Sequence, residues 1–310
     1  MNATQTPATI TGGGYTAEVH PRGGQLLSLT SGEDELIVPA STAGGGFPGA
    51  VLAPWPNRIA GASYVHDETT FTLPVTEEET GAAIHGFLHG ADLAVVGSAE
   101  DSVHLSGVIG PVEGYPYPLE VSLIYRVAAA FGLAATLSVR YVPEDDGGDA
   151  AEEDAFEAAN RVPAPFGAGF HPYLTAGAAK LDECRLRLPA RTMLMTKADG
   201  EVVGRKKVKG DYDLTGGPLL AGRTIDHTYT GLPQEWSAEL IHGPSGFVVR
   251  MIGDAPWVQV YTGEAIGRAG VAVEPMTCPP NAFNSGEDVV YLAPGQWHRT
   301  GFTIEAIRND

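Results

Sequence analysis

Basic residues are scarce in this chain: 19 lysines and arginines stand against 38 aspartates and glutamates, for a net charge of -19. That field repels nucleic acid and anionic membrane surfaces, and it disfavours a phosphorylated ligand unless a local basic pocket overrides it. Cysteine is nearly missing, with only Cys184 and Cys278 present. Two cysteines make no disulfide framework, and a reduced, cytoplasmic protein is the simpler expectation. The first residues, M-N-A-T-Q-T-P-A-T-I, hold no basic stretch followed by an apolar core, so no secretory signal is read there. Long apolar runs are absent as well. The nearest, 127–139, is broken by Gly132 and falls short of the ~20 residues of a membrane span. No G-x-S-x-G elbow, P-loop, H-E-x-x-H or dinucleotide-binding glycine pattern occurs.

Glycine and proline are plentiful, at 40 and 23, so turns are frequent and long helices are disfavoured. A chain of 310 residues with 43% hydrophobic and 18% charged residues is globular and holds one large core or two smaller ones. Short alternating stretches recur throughout. Residues 119–127 place Val121, Leu123, Tyr125 and Val127 on one face, and 133–141 repeat the pattern, which predicts a hairpin. Further strands are expected at 15–20, 25–29, 71–75, 185–188, 191–195, 238–242, 246–252, 257–261, 271–273 and twice within 291–307. Glu77-Glu78-Glu79 reads as a solvated run, and Arg205-Lys206-Lys207 with Lys209 as a solvated turn. Residues 224–229 read as a loop or strand edge. The acidic, alanine-rich stretch 143–160 reads as a loop insertion, either mobile or holding a short helix over 149–159. The pattern as a whole argues for an all-β sandwich or barrel in a single domain, 1–310.

A few residues stand out chemically. In G-V-A-V-E-P-M-T-C-P-P-N-A-F-N, 270–284, a short apolar strand ends on Glu274 and prolines stiffen the segment after it. That arrangement suits a general base held still, or is a surface glutamate at a strand end. His171 lies between Phe170 and Pro172-Tyr173, an extended, water-poor setting that suits a general acid or a structural histidine. His85 precedes Gly86, which permits close approach of a ligand to the backbone. His89 lies four residues on, yet the glycines around it disfavour a helix, and a metal site is not expected. Asn57-Arg58 sits in a proline-stiffened loop; the arginine offers a planar fork to hydroxyls or a carboxylate, or lies on the surface. Asp226 suits a diol or an ordinary turn. Trp55, Tyr173 and Phe283 stack on a sugar or belong to the core. Cys278 reads as a small buried residue.

The order of these elements carries more than any one of them. N-R-I followed by A-G-x-x-Y, then I-H-G, G-Y-P-Y-P-L-E-V, H-P-Y, an isolated Asp and V-E-P-x-x-x-P-P-N-A-F-N resembles the aldose 1-epimerase (galactose mutarotase) family over nearly the whole chain. The resemblance implies a large antiparallel β-sandwich of the galactose mutarotase-like type with few short helices. It implies a small-molecule sugar substrate and no metal or organic cofactor. Carried over by position, it implies Glu274 as catalytic base, His171 as acid and His85 as the second active-site histidine, with Asn57, Arg58 and Asp226 binding substrate. Leu174 after H-P-Y and Asp92-Leu93-Ala94 after I-H-G depart from common family residues and bear on which sugar is taken. Rival readings are a hexose-6-phosphate 1-epimerase, a glycoside hydrolase using Asp226 and Glu274, and a non-catalytic sugar-binding protein. A monomer or homodimer fits the sequence equally.

Overall fold

In the computed structural model, residues 6–143 and 161–308 are described. The expected acidic insertion and its 149–159 helix lie outside the described residues.

Alternation in the sequence becomes alternation in burial. Leu119–Ala128 and Gly132–Tyr141 bury nearly every second residue and pair antiparallel, from Leu119↔Tyr141 to Ala128↔Gly132. This hairpin lies within an eight-stranded sheet. Its order is Ala94–Ala99, Ser102–Ile109, Leu119–Ala128, Gly132–Tyr141, Trp297–Arg308, Phe247–Gly253, Trp236–His242 and Cys184–Arg187. A second sheet runs Val202–Lys207, Thr192–Thr196, Asp226–Thr230, Trp257–Tyr261, Val271–Met276, Gly169–His171 and Ala50–Leu52. Tyr173–Leu174 also pairs with Val271–Met276. The N-terminal strands, Ala8–Gly12 through Asp34–Glu35, form a smaller sheet.

The two large sheets share one core. Phe170 of the second meets Phe302 of the first with ring centroids 4.8 Å apart. Val258, Val260 and Val273 join Leu123, Leu137 and Ile304 in a single buried apolar cluster. Face-to-face sheets with interleaved side chains make a β-sandwich. Truncating a core leucine such as Leu123 to alanine removes about 2–5 kcal/mol in such a setting. The α-helices among the described residues are the single turns Ala40–Ala43 and Ala282–Ser285. None is long and apolar enough to cross a membrane.

Several local expectations change. The strand that begins at Val271 does not stop at Glu274 but continues through Pro275 to Met276. Residues 226–230 form an internal strand, not an edge. The basic cluster is an edge strand, Val202–Lys207, with Arg205, Lys206 and Lys207 exposed. Charge on an unpaired edge opposes strand addition by another chain. Residues 71–75 shift to the strand Thr69–Thr72, paired with Ser63–His66. In the glutamate run Glu78 and Glu79 are exposed as expected, whereas Glu77 is partly shielded and grips Arg58.

Candidate functional site

The register of the second sheet assembles the site. Gly169 pairs with Met276, and Tyr173 pairs with Ala272. The same register carried between them sets His171 opposite Glu274. Two rungs of the ladder are missing there, because Pro172 and Pro275 have no N–H to give. The neighbouring rungs survive: Val273 donates to the Pro172 carbonyl and Thr277 to the Ala168 carbonyl. Glu274 in turn lies opposite Gln259, and Gln259 opposite Thr228. Residues opposite one another share a face. Thr228, Gln259, Glu274 and His171 therefore form one polar row across four strands, on the face turned away from Phe302.

His171 Nε2 lies 3.3 Å from Glu274 Oε1, and both side chains are almost fully buried. Glu274 Oε2 and His171 Nδ1 have no protein hydrogen-bond partner. Leaving such a group unpaired costs about 1–3 kcal/mol. Burial pushes the Glu274 carboxyl well above the usual carboxylate range; Asp226 adds to this and Arg58 opposes it. Burial pushes His171 down to about 4. Burial thus favours the neutral form of each group.

His85 is fixed by Asn57. The His85 N–H donates to the Asn57 carbonyl at 2.8 Å, and the Asn57 N–H donates back to His85 Nδ1 at 3.2 Å. A neutral imidazole that accepts at Nδ1 carries its proton on Nε2. His85, His171 and Glu274 hold donor atoms within 4.8 Å of one another, a grouping that invites a metal. His85 does not fit that role, since neither of its ring nitrogens offers a free lone pair. It presents an N–H donor. Burial keeps it neutral, with its pKa well below the usual value, and His171, Arg58 and His89 push the same way. Gly86 is approached not by open space for a ligand but by the Ala53 backbone: a Cβ there would lie 2.1 Å from the Ala53 carbonyl oxygen.

Phe47 covers the imidazoles. Its ring centroid lies 4.8 Å from that of His85, 5.4 Å from His89 and 6.4 Å from His171. Tyr173 packs against His171 at 5.0 Å and donates its hydroxyl to the Gly46 carbonyl. Trp55 and Phe283 belong to the core, in contact at 5.8 Å, with the Trp55 N–H donated to the Ala83 carbonyl. Cys278 is buried.

Asn57 turns the chain at φ 54° and accepts the Arg58 N–H with its side-chain oxygen. Arg58 is partly exposed and donates Nε and Nη2 to the two oxygens of Glu77. Asp226 is exposed, and its Oδ1 accepts from Gln259 Nε2 at 2.6 Å. The Gln259 amide is oriented by the Thr228 hydroxyl, which donates to its oxygen. The asparagines of N-A-F-N serve the loop. Asn281 donates its N–H to the Arg58 carbonyl, and its side-chain oxygen accepts from Ala60 N–H and Asn284 Nδ2.

The structure thus brings Glu274, His171 and His85 together, sets Asn57 against His85, and holds Arg58 and Asp226 within electrostatic reach of Glu274. Sequence reasoning misses Gln259, Glu77 and Phe47. Gln259 has a signal: a lone amide inside W-V-Q-V-Y. Glu77 is one of three adjacent glutamates, and Phe47 reaches the site only through the tertiary fold. A carboxyl and an imidazole in contact beside a fixed N–H donor can move protons between two oxygens of a bound molecule.

Known proteins resemble this chain in both sequence and fold. The sequence profile described as Aldose 1-epimerase matches residues 8–145 and 151–305. A protein of Escherichia coli (strain K12), named uncharacterized protein YihR, is 33% identical over 98% of this chain and 94% of its own. The GalM/aldose epimerase homologue from C. elegans superposes with a TM-score of 0.82 at 16% identity, covering 99% of this chain and 100% of that one. The galactose 1-epimerase from Lactobacillus acidophilus NCFM superposes with a TM-score of 0.76 at 14% identity, covering 96% and 92%.

Proposed function

The chain belongs to the aldose 1-epimerase family, and on that premise we propose that it interconverts the α and β anomers of a free hexose. As the sugar binds, the proton of the pair passes from Glu274 to His171 across their contact, and Glu274, now a carboxylate, takes the proton of the C1 hydroxyl. His171, as imidazolium, gives its proton to the ring oxygen. The bond from C1 to the ring oxygen breaks and a C1 aldehyde forms. Rotation about C1–C2 presents the other face, the ring oxygen attacks C1, and the two protons return by the same routes. The pair starts and ends with one proton, so no net charge is left behind.

The observation that carries this reading is the buried pair, set opposite in register and 3.3 Å apart. A positioned acid or base contributes roughly 10²–10⁴-fold. The His85 N–H, Asn57, Arg58 and Asp226, the last oriented by Gln259, hold the sugar hydroxyls, and that orientation adds to the rate. A two-carboxylate glycosidase gives the Glu274–His171 contact no task. Polarimetry of freshly dissolved α-glucose and α-galactose tests the proposal. We expect acceleration by the wild type and a loss of about 10²-fold or more in Glu274→Gln and in His171→Asn. An undiminished rate in Glu274→Gln removes Glu274 as base.

A further inference from the structure

The carboxylate behind Arg58 has no part in the proton transfers between Glu274, His171 and the sugar. Glu77 accepts from Arg58 Nε at 2.5 Å and from Nη2 at 2.7 Å, the bidentate geometry of a strong ion pair. Thr80 donates its hydroxyl to the same carboxylate. The Thr80 and Gly81 amides close a turn on the Glu77 carbonyl, so Glu77 is a fixed group. Both side chains are about three-quarters shielded, with 23% and 24% exposure. Arg58 Nη1 has no protein partner among the described residues. The Arg58 charge also reaches Asp226 and Glu274.

We propose that Glu77 is a specificity-determining residue: by neutralising Arg58 it turns the cationic corner of the site into an uncharged donor and reserves the site for neutral sugars. The inference rests on the proposed function, that the site takes a free sugar. A hydroxyl needs only the N–H that Nη1 still offers, whereas a phosphate or carboxylate needs unspent positive charge. Around Arg58 the positive charge is met by the Glu77 carboxylate and by Asp226. An anionic sugar therefore meets repulsion instead of a clamp, and rejecting the wrong ligand by charge is as effective as attracting the right one. The chain's overall charge of -19 supplies no compensation.

The test compares kcat/KM for α-glucose, glucose 6-phosphate and glucuronate in the full chain, in Glu77→Gln and in Glu77→Asp. In Glu77→Gln the ratio of anionic to neutral kcat/KM rises by about tenfold or more, chiefly through a lower KM for the anion. Glu77→Asp, which keeps the charge, stays near the wild-type ratio. An equal loss on all three sugars, with the ratio unchanged, assigns Glu77 a purely structural part and overturns the proposal. Salt provides a readout that needs no variant. Raising ionic strength narrows the wild type's discrimination against the anions, because screening weakens repulsion; discrimination indifferent to salt also overturns it. Should the wild type turn over none of the sugars, the epimerase reading fails by itself, and the same ratios are then read as dissociation constants by calorimetry.

Discussion

At the scale of single residues, Glu274 works against the fold that holds it. Burial raises its pKa above the unfolded value. The folded chain then binds the proton more tightly than the unfolded chain, so stability falls as pH rises from the ordinary carboxylate range toward the raised value. Near neutrality the group destabilises the protein. Glu274→Gln is expected to raise Tm, by about 2–4 °C for each kcal/mol recovered, while slowing mutarotation by about 10²-fold or more. A differential scan beside the polarimetric assay checks both. His171 has the opposite sign. Its pKa drops from 6.5 to about 4 on burial, so the unfolded chain binds more protons in that window and stability is lost as pH falls through it. The full loss is about 3 kcal/mol. Activity needs a single proton on the pair, so the rate should fall below about 4, where His171 takes a second proton. At the other end it should fall only well above the usual carboxylate range, where Glu274 gives up the first. A pH–rate profile measures both limbs, and the apparent values belong to the pair. Glu274 and His171 are legible in the sequence because prolines and aromatics surround them. Their partners are not, since Gln259 and Glu77 act through contacts that only strand pairing and loop closure create.

At the scale of elements, the loop carrying Asn57 and Arg58 is held from outside itself. Asn281, at φ 57°, ties the Arg58 carbonyl and the Ala60 amide to the turn Ala282–Ser285. Asn281→Ala leaves the Ala60 amide without its acceptor and puts a less suited residue in the left-handed region. It should lower stability by about 1–3 kcal/mol and raise KM more than it lowers kcat, since Arg58 is loosened and Glu274 is not. Denaturant titration and steady-state polarimetry separate the two effects. Strand positions with clear alternation, such as Leu119–Ala128 and Trp257–Tyr261, are readable from sequence. Val271–Met276 is longer than its sequence suggests, because proline argues against an interior strand. Here the missing N–H falls at an interrupted part of the ladder. The strand Asp226–Thr230 is obscured in the sequence by its polar residues, Asp226, His227, Thr228 and Thr230.

At the scale of the whole molecule, Ile10, Val19 and Leu29 of the small sheet share the apolar cluster with residues of both large sheets. We therefore take the chain as one domain, for which heat or denaturant should produce one cooperative transition with coincident probes. Two resolved transitions would show that the sheets fold apart. The all-β class is legible from turn frequency and alternation, whereas the packing of one sheet on the other is not, because no local pattern records which strands meet. The two absent rungs at Pro172 and Pro275 bear on this architecture. Between acid and base the seam lacks the backbone hydrogen bonds that two N–H groups would supply. Parting the strands there breaks fewer backbone hydrogen bonds than at a fully bonded seam, at the place where the proposed sugar ring enters between two touching side chains.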